Sequence, residues 1–487
     1  MAILYNEGTT LAERVDACLD DEFAHEAVER AQDVFYDKRN AVVDELPNWE
    51  DMRHAARAIR NRVNKNLDYY VAEFARNAQA AGAHVHFAPT AEDALCEILD
   101  VFEEAHASTC VKSKSMMSEE IGMNEVLEEA GMEVVETDCA EAILQTAKDH
   151  PSHIVVPALH LDREAIARMF HDELGYAGSS VPEDITRFLR VHLREKFLAA
   201  EVGVRGCNFA VASTGSTTLV TNEGNGRMVD TLPATQIVLV GIDRIVPDLE
   251  SLDLMTSLLV RSAVGSKLTA YFTVDCGPAA DDEGDGARDV HIIMIDNGRS
   301  DILGTEFAAI ERCIRCGACL NICPVYRHIT GHGYGSIYPG PMGIVMTCCL
   351  EGYDKVDKLP YACSLCSACT SNCPMDIPLH DLIRQHRVNM VAQGYAGPIE
   401  RRAFETAGHV LSSRPLYDVA TKVAARGMKP FAHNGQSLGP STAWIPVLGA
   451  WTRNRDFNRL ADERFRDWFK KHEKEQGNAP EKGEDAR

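Results

Sequence analysis

Two copies of one short cysteine pattern constrain this chain more than any other feature. Cys313, Cys316, Cys319 and Cys323, followed by Pro324, spell C-x2-C-x2-C-x3-C-P, and Cys363, Cys366, Cys369 and Cys373, followed by Pro374, spell it again. In this spacing three close thiolates wrap one [4Fe-4S] cube, while the fourth, beyond the bend at the proline, ligates the other cube. The expected ligand sets are therefore crossed. Cys313, Cys316, Cys319 and Cys373 form the first, and Cys363, Cys366, Cys369 and Cys323 the second. Paired zinc sites are the competing reading, but the third cysteine and the x3-C-P tail have no tetrahedral rationale. The long stretch from Pro324 to Ala362 argues against a small compact ferredoxin and for helices carrying the clusters. Two clusters in one domain imply one-electron relay.

The other half of the 16 cysteines are scattered, apart from the adjacent pair Cys348 and Cys349. Most read as buried small hydrophobes; Cys348 or Cys349, lying between the motifs, is an alternative ligand or a contact for a partner's cofactor. Clustered cysteines in a chain whose start lacks a basic, apolar, small-residue leader fit metal binding in the cytoplasm rather than disulfides. A net charge of −24 repels phosphate backbones and anionic lipid, so nucleic-acid binding is not expected. No apolar run approaches the roughly 18 residues of a membrane span.

At 487 residues about three domains are expected. Residues 1–60 have helical spacing and read as an extension. Residues 61–300 alternate helix and strand: Thr90 and Asp93 form a capping box, Ser118 opens and Gly131 closes a second helix, and Met132–Thr137 and His153–Ala158 read as strands. Five β-branched runs follow, 208–213, 217–222, 235–241, 268–274 and 290–296, with a hairpin-like turn at 223–226 and a solvated loop at 277–288. Together they predict an α/β domain with a mixed sheet. Residues 301–395 form the helical two-cluster domain, 396–470 a C-terminal helical region, and 471–487, with no apolar face, a disordered tail.

Anion sites are less clearly written. Lys112 and Lys114 follow a short strand and precede a helix start, a position suited to a carboxylate or phosphate, with solvated lysines as the plain alternative. Ser213, Thr214, Gly215 and Ser216 form a hydroxyl-rich turn that offers amides to an anion or satisfies its own backbone. Glu223 sits in a Glu-Gly context like that of a coenzyme A transferase nucleophile, or is an ordinary turn glutamate. Between the motifs, His328, His332, Tyr334 and Tyr338 lie in a Gly/Pro-rich stretch that docks a partner, shields a cluster or simply packs. Neither a catalytic triad order nor a flavin or nicotinamide fingerprint is present.

The order of parts resembles the LutB/YkgF family, the iron-sulfur subunit of the bacterial three-protein lactate utilisation system. The likeness spans nearly the whole chain and rests on residues 112–138, 151–160, 213–228, 313–343 and 359–374. It implies that the α/β region is a LUD domain, related to the coenzyme A transferase and ribose-phosphate isomerase-like group, beside an α-helical ferredoxin domain with two [4Fe-4S] clusters. The implied function is electron transfer in a complex oxidising L-lactate to pyruvate. The implied partners are a heterodisulfide-reductase-like cysteine-rich subunit and a small LUD protein. Another 2-hydroxy acid such as glycolate, a coenzyme A transferase using Glu223 with structural clusters, and a protein-binding scaffold are the alternatives.

Overall fold

The computed structural model describes residues 3–5, 8–432, 437–439, 442, 444, 445, 449, 452 and 456–477. They form two units, 1–393 and 394–487.

The first unit is built on a six-stranded, wholly parallel sheet. Its strands are β1 (His84–Ala88), β2 (Thr109–Lys112), β3 (Glu133–Glu136), β4 (Val202–Gly206), β7 (Thr235–Gly241) and β10 (Asp289–Ile295), in the order β1-β10-β7-β4-β2-β3. The run Ile237–Gly241 is apolar at every position because β7 is covered on both faces. Ile237 and Leu239 pack with Ala94, Ile98 and Met123, and Val238 and Val240 with Val63, Phe74 and Ala78.

Between β4 and β10 the chain builds a second sheet from β5 (Phe209–Val211), β6 (Ser216–Thr221), β8 (Ile245–Val246) and β9 (Tyr271–Asp275), ordered β8-β5-β6-β9. Its β5–β6 and β6–β9 pairs are antiparallel. The expected mixed sheet is thus resolved into two, one parallel and one largely antiparallel. Periodicity reports strand identity and not which strands pair.

Local chemistry explains several boundaries. Thr90 Oγ1 accepts from Asp93 N at 3.1 Å, and Thr90 N donates to the Asp93 carboxylate at 3.2 Å, completing the capping box. The second helix differs from expectation. Ser115, not Ser118, caps it, and Gly122 in the left-handed region (φ 69°) splits it into Met116–Ile121 and Met123–Glu129. Residues 153–156 are bends and 157–158 a turn rather than a strand, and 223–226 leads into a helix, Asn225–Thr231, rather than closing a hairpin.

The N-terminal helices Glu22–Asp44 and Trp49–Lys65 pack on the cysteine-rich segment. Beyond Pro324 that segment carries the helices Pro324–Ile329, Gly340–Glu351 and Leu379–Ala392. In the second unit, helices Pro398–Ser412 and Arg414–Met428 precede Phe465–Gly477. That last helix runs through the start of the segment expected to be disordered, whose residues 478–487 lie outside the described residues. No helix among the described residues is long and apolar enough to cross a membrane.

Candidate metal centre and the adjoining cavity

The two cysteine motifs fold as a structural repeat. Arg315 and Leu365, each two residues after the first cysteine, are left-handed (φ 56° and 55°), as are Gly317 and Ser367 two further on (φ 78° and 63°). This backbone turns amides inward: Arg315 N donates to Cys313 Sγ at 3.4 Å and Leu365 N to Cys363 Sγ at 3.3 Å. Inward amides and a sulfur at the centre of a loop suit an anionic sulfur cage.

Cys313, Cys316, Cys319 and Cys373 line one small apolar cavity, with Ile154, Met342 and Ile377 among its walls. Cys323 lies beside Cys363, Cys366 and Cys369. Burial and then those three other cysteines push the Cys369 thiol up to about 12. Burial likewise raises Cys373 to about 11, with Cys313 adding to the effect. Four thiols so close cannot all ionise unless a shared cation balances them, which is the donor chemistry of a bound metal cluster. The residues present therefore fit an iron-sulfur cluster in each set.

Carbonyls around the cysteines are tied down by long polar side chains from distant sequence. Gln32 Nε2 donates to Leu320 O (2.7 Å) and Cys323 O (3.1 Å), Arg39 to Asn372 O (3.2 Å) and Arg53 to Cys373 O (2.9 Å). Arg387 holds Cys363 O at 2.5 Å. These contacts satisfy buried acceptors that no helix or strand would reach.

The first set abuts the carboxyl ends of the parallel strands. From β2 the chain moves outward to β3, whereas from β4 it moves the other way to β7, so the crevice between β2 and β4 is the topological switch point, where open α/β sheets bind ligands. A cavity of about 600 Å³ lies there. Ser113, Lys114, Asn208 and Glu223 are on its α/β side, and Arg315 and Cys316 on its cysteine side.

Its floor is a buried charge network. Asp243, just past β7, meets Arg299 Nε at 3.0 Å, Arg244 at 2.8 Å and Arg315 at 3.5 Å. Burial alone would raise this carboxyl, but Arg244, Arg315, Arg299 and Arg60 hold it well below the usual range. Glu120 accepts from Arg299 (2.7 Å) and from the Tyr338 hydroxyl (2.5 Å). Arg60 donates to Ile245 O (2.7 Å), Glu311 O (2.6 Å) and Asp243 O.

Models of known families match the chain in three places: a LUD domain at residues 71–295, a 4Fe-4S dicluster domain at 309–377 and "Lactate utilisation protein B, C-terminal" at 380–474. Lactate utilization protein B of Bacillus velezensis is 50% identical over 96% of this chain and 97% of its own. The chain belongs to the lactate utilization protein B family. Lactate utilization protein B 2 of Bacillus mycoides is 49% identical over 95% of this chain and 97% of its own. A crystal structure of a DUF162 family protein from Deinococcus radiodurans aligns with 47% of this chain and 98% of its own at 15% identity and a TM-score of 0.27.

In this member of the lactate utilization protein B family the sequence candidates separate. Lys112 is buried and bonds Glu136 (2.5 Å), Glu119 (2.9 Å) and Asn124 (3.1 Å), so its charge is consumed internally. Lys114 alone of the two lines the cavity. Ser213–Ser216 is a tight turn that does not reach it: Ser213 N and Gly215 N donate to backbone carbonyls, and the Thr214 and Ser216 hydroxyls bond each other. Glu223 accepts from Cys139 N at 3.0 Å, and burial, then Asp138, raises its carboxyl. His328 is exposed, His332 contacts His150 O, and Tyr334 is buried beside Cys323. Cys349 lies 3.8 Å from His386, and neither it nor Cys348 lines the first cysteine set.

Sequence reasoning missed Asp243, Arg299, Arg60 and the clamping Gln32, Arg39 and Arg53. Arg315 was legible in principle, since it stands between two motif cysteines.

Proposed function

We propose that the chain is the iron-sulfur electron-transfer subunit of a complex that oxidises L-lactate to pyruvate. Cys313, Cys316, Cys319 and Cys373 hold one [4Fe-4S] cluster, and Cys363, Cys366, Cys369 and Cys323 the other. When bound, such clusters supply one-electron donors and acceptors whose potential the surrounding protein sets. The single observation that carries the reading is the doubled cysteine motif, folded as a repeat with crossed thiol sets.

The chain's own residues then divide the work. The first set faces the cavity through Cys316, while Cys366 of the second is exposed. A substrate or partner group in the cavity is thus beside the first set, and a partner's acceptor has access to the second. Membership of the lactate utilization protein B family supports lactate as the electron source, and a heterodisulfide-reductase-like cysteine-rich subunit and a small LUD protein as partners in the cytoplasm. We take the α/β region as the LUD domain and 301–395 as the helical ferredoxin domain. Glu223, with its raised carboxyl on the cavity wall, keeps a coenzyme A transferase-like activity as the second reading; Glu223→Gln leaves lactate oxidation intact if the relay reading is right.

Anaerobic purification with iron and sulfide analysis, and EPR of the dithionite-reduced chain, is the test. About eight irons per chain and two interacting [4Fe-4S] signals, reduced by L-lactate only with partners present, are expected. Zinc in place of iron overturns the proposal. The crossing has its own check: Cys373→Ser alters the signal of the first set and Cys323→Ser that of the second.

A further inference from the structure

The cavity between β2, β4 and the first cysteine loop has buried donors on its wall that make no hydrogen bond within the chain. Ser113 is 1% exposed and its hydroxyl has no hydrogen-bond partner. The Lys114 ammonium is buried without a hydrogen bond, its nearest carboxylate being Glu141 at 3.9 Å. Both Nη atoms of Arg315 are buried without hydrogen bonds, the guanidinium lying over the Tyr338 ring and 3.5 Å from Asp243. The acidic wall groups, by contrast, are engaged: Asp138 accepts from Ala140 N and Glu141 N, and Glu223 from Cys139 N. Unpaired buried donors cost free energy unless a ligand completes them. The unmet demand here is for an acceptor, and its sign is negative.

The rest of the wall limits the ligand's shape. Ile154, Val156, Leu159, Leu219, Val220 and Leu259 contribute apolar surface, and about 600 Å³ falls in the roughly 300 to 1,000 Å³ range of clefts that enclose whole organic ligands. A three-carbon acid fills only a corner of it.

We propose that this cavity is a binding site for an organic monocarboxylate with an apolar tail, its carboxylate taken by Ser113 and Lys114 and its tail laid along the apolar wall. Arg315, between Cys313 and Cys316, makes occupancy detectable at the first cysteine set, because an anion in the cavity changes the charge beside those sulfurs. The inference borrows from the proposed function only the iron of the first set; the ligand class rests on the cavity.

The test uses the full chain, purified anaerobically with its iron, and titrates acetate, pyruvate and 2-oxohexanoate by calorimetry. Each added methylene that reaches the apolar wall is worth roughly fourfold in affinity, so 2-oxohexanoate binds at least tenfold tighter than pyruvate. Lys114→Met, which keeps the aliphatic stem, and Ser113→Ala, which removes one oxygen, each weaken 2-oxohexanoate about tenfold or more. The ligand also changes one EPR signal of the reduced protein and leaves the other. No binding by any acid, affinity that does not rise with chain length, or affinity unchanged in both variants overturns the proposal. Protein that purifies anaerobically without iron and still binds these acids would sink the relay reading and leave this site standing.

Discussion

Asp243 is the residue on which the junction between the sheet and the first cysteine loop depends. It is buried among Arg60, Arg244, Arg299 and Arg315 and is the common neutralising charge for them. Asp243→Asn keeps the shape and removes the charge, leaving buried guanidinium groups uncompensated, so a loss of about 3 to 5 kcal/mol in unfolding free energy is expected by urea denaturation. A loss below about 1 kcal/mol would show that solvent already screens the network. His153 makes a second prediction. Its Nδ1 accepts from Val155 N (3.0 Å) and Val156 N (3.2 Å), and its Nε2–H donates to Asn321 (3.1 Å), so the ring is neutral and burial lowers its pKa to about 4. The unfolded chain takes up this proton near pH 6.5 and the native chain does not until about pH 4. Stability from this residue is therefore full above pH 6.5 and falls progressively as pH drops toward 4. The same sign holds for His386, which burial also lowers to about 4. Urea midpoints at pH 7.5 and pH 5, with iron content followed in parallel, check this; equal midpoints would refute a neutral buried ring.

The segment 153–158 and the first cysteine loop depend on each other as elements. Gly317 is left-handed at φ 78°, and a Cβ there would sit 3.1 Å from Val155 Cγ2. Gly317→Ala combines the left-handed strain, roughly 1 to 2 kcal/mol, with that close approach. The expected result is weakened iron retention in the first set with the second set's EPR signal unchanged; equal loss from both would mean the loop is not locally responsible. This contact also shows why sequence reading failed there. Apolar residues at 154–156 look like a strand, yet they bend because His153 captures two of the segment's amides, and a side chain that competes for backbone donors leaves no periodic trace. Where pattern and local chemistry agree, as at Thr90 with Asp93 or along β7, the element was legible. The pairing of Lys112 was not legible for a related reason: the carboxylates that neutralise it, Glu119 and Glu136, come from elements whose placement a linear sequence does not give.

Over the first unit, the N-terminal helices join the α/β region to the cysteine segment, with Arg60 donating to both Ile245 O and Glu311 O. Residues 1–393 therefore unfold together: far-UV circular dichroism and the visible absorbance of bound iron-sulfur clusters lose signal in coincident thermal transitions. Two separated transitions would show that the α/β region stands without its neighbour. The two cysteine sets were the most legible part of the molecule because eight thiols sit in two short runs and each run sets its own loop. The cavity was the least legible, since Ser113, Asn208, Glu223 and Arg315 meet only through the topology of the sheet.

The clamp on the cysteine carbonyls has a consequence for biosynthesis. Arg53 and the carbonyl it holds, that of Cys373, are separated by 320 residues. At roughly 5 to 20 residues per second of translation, about 16 to 64 s pass between the appearance of the arginine and that of its acceptor. For most of that interval the first helices have their packing face uncovered, and over its last 54 residues, from Cys319 to Cys373, the first cysteine set lacks its fourth thiol. Iron delivered before Cys373 has emerged would meet an incomplete first set, so that set is completed only when segments made far apart in time have met.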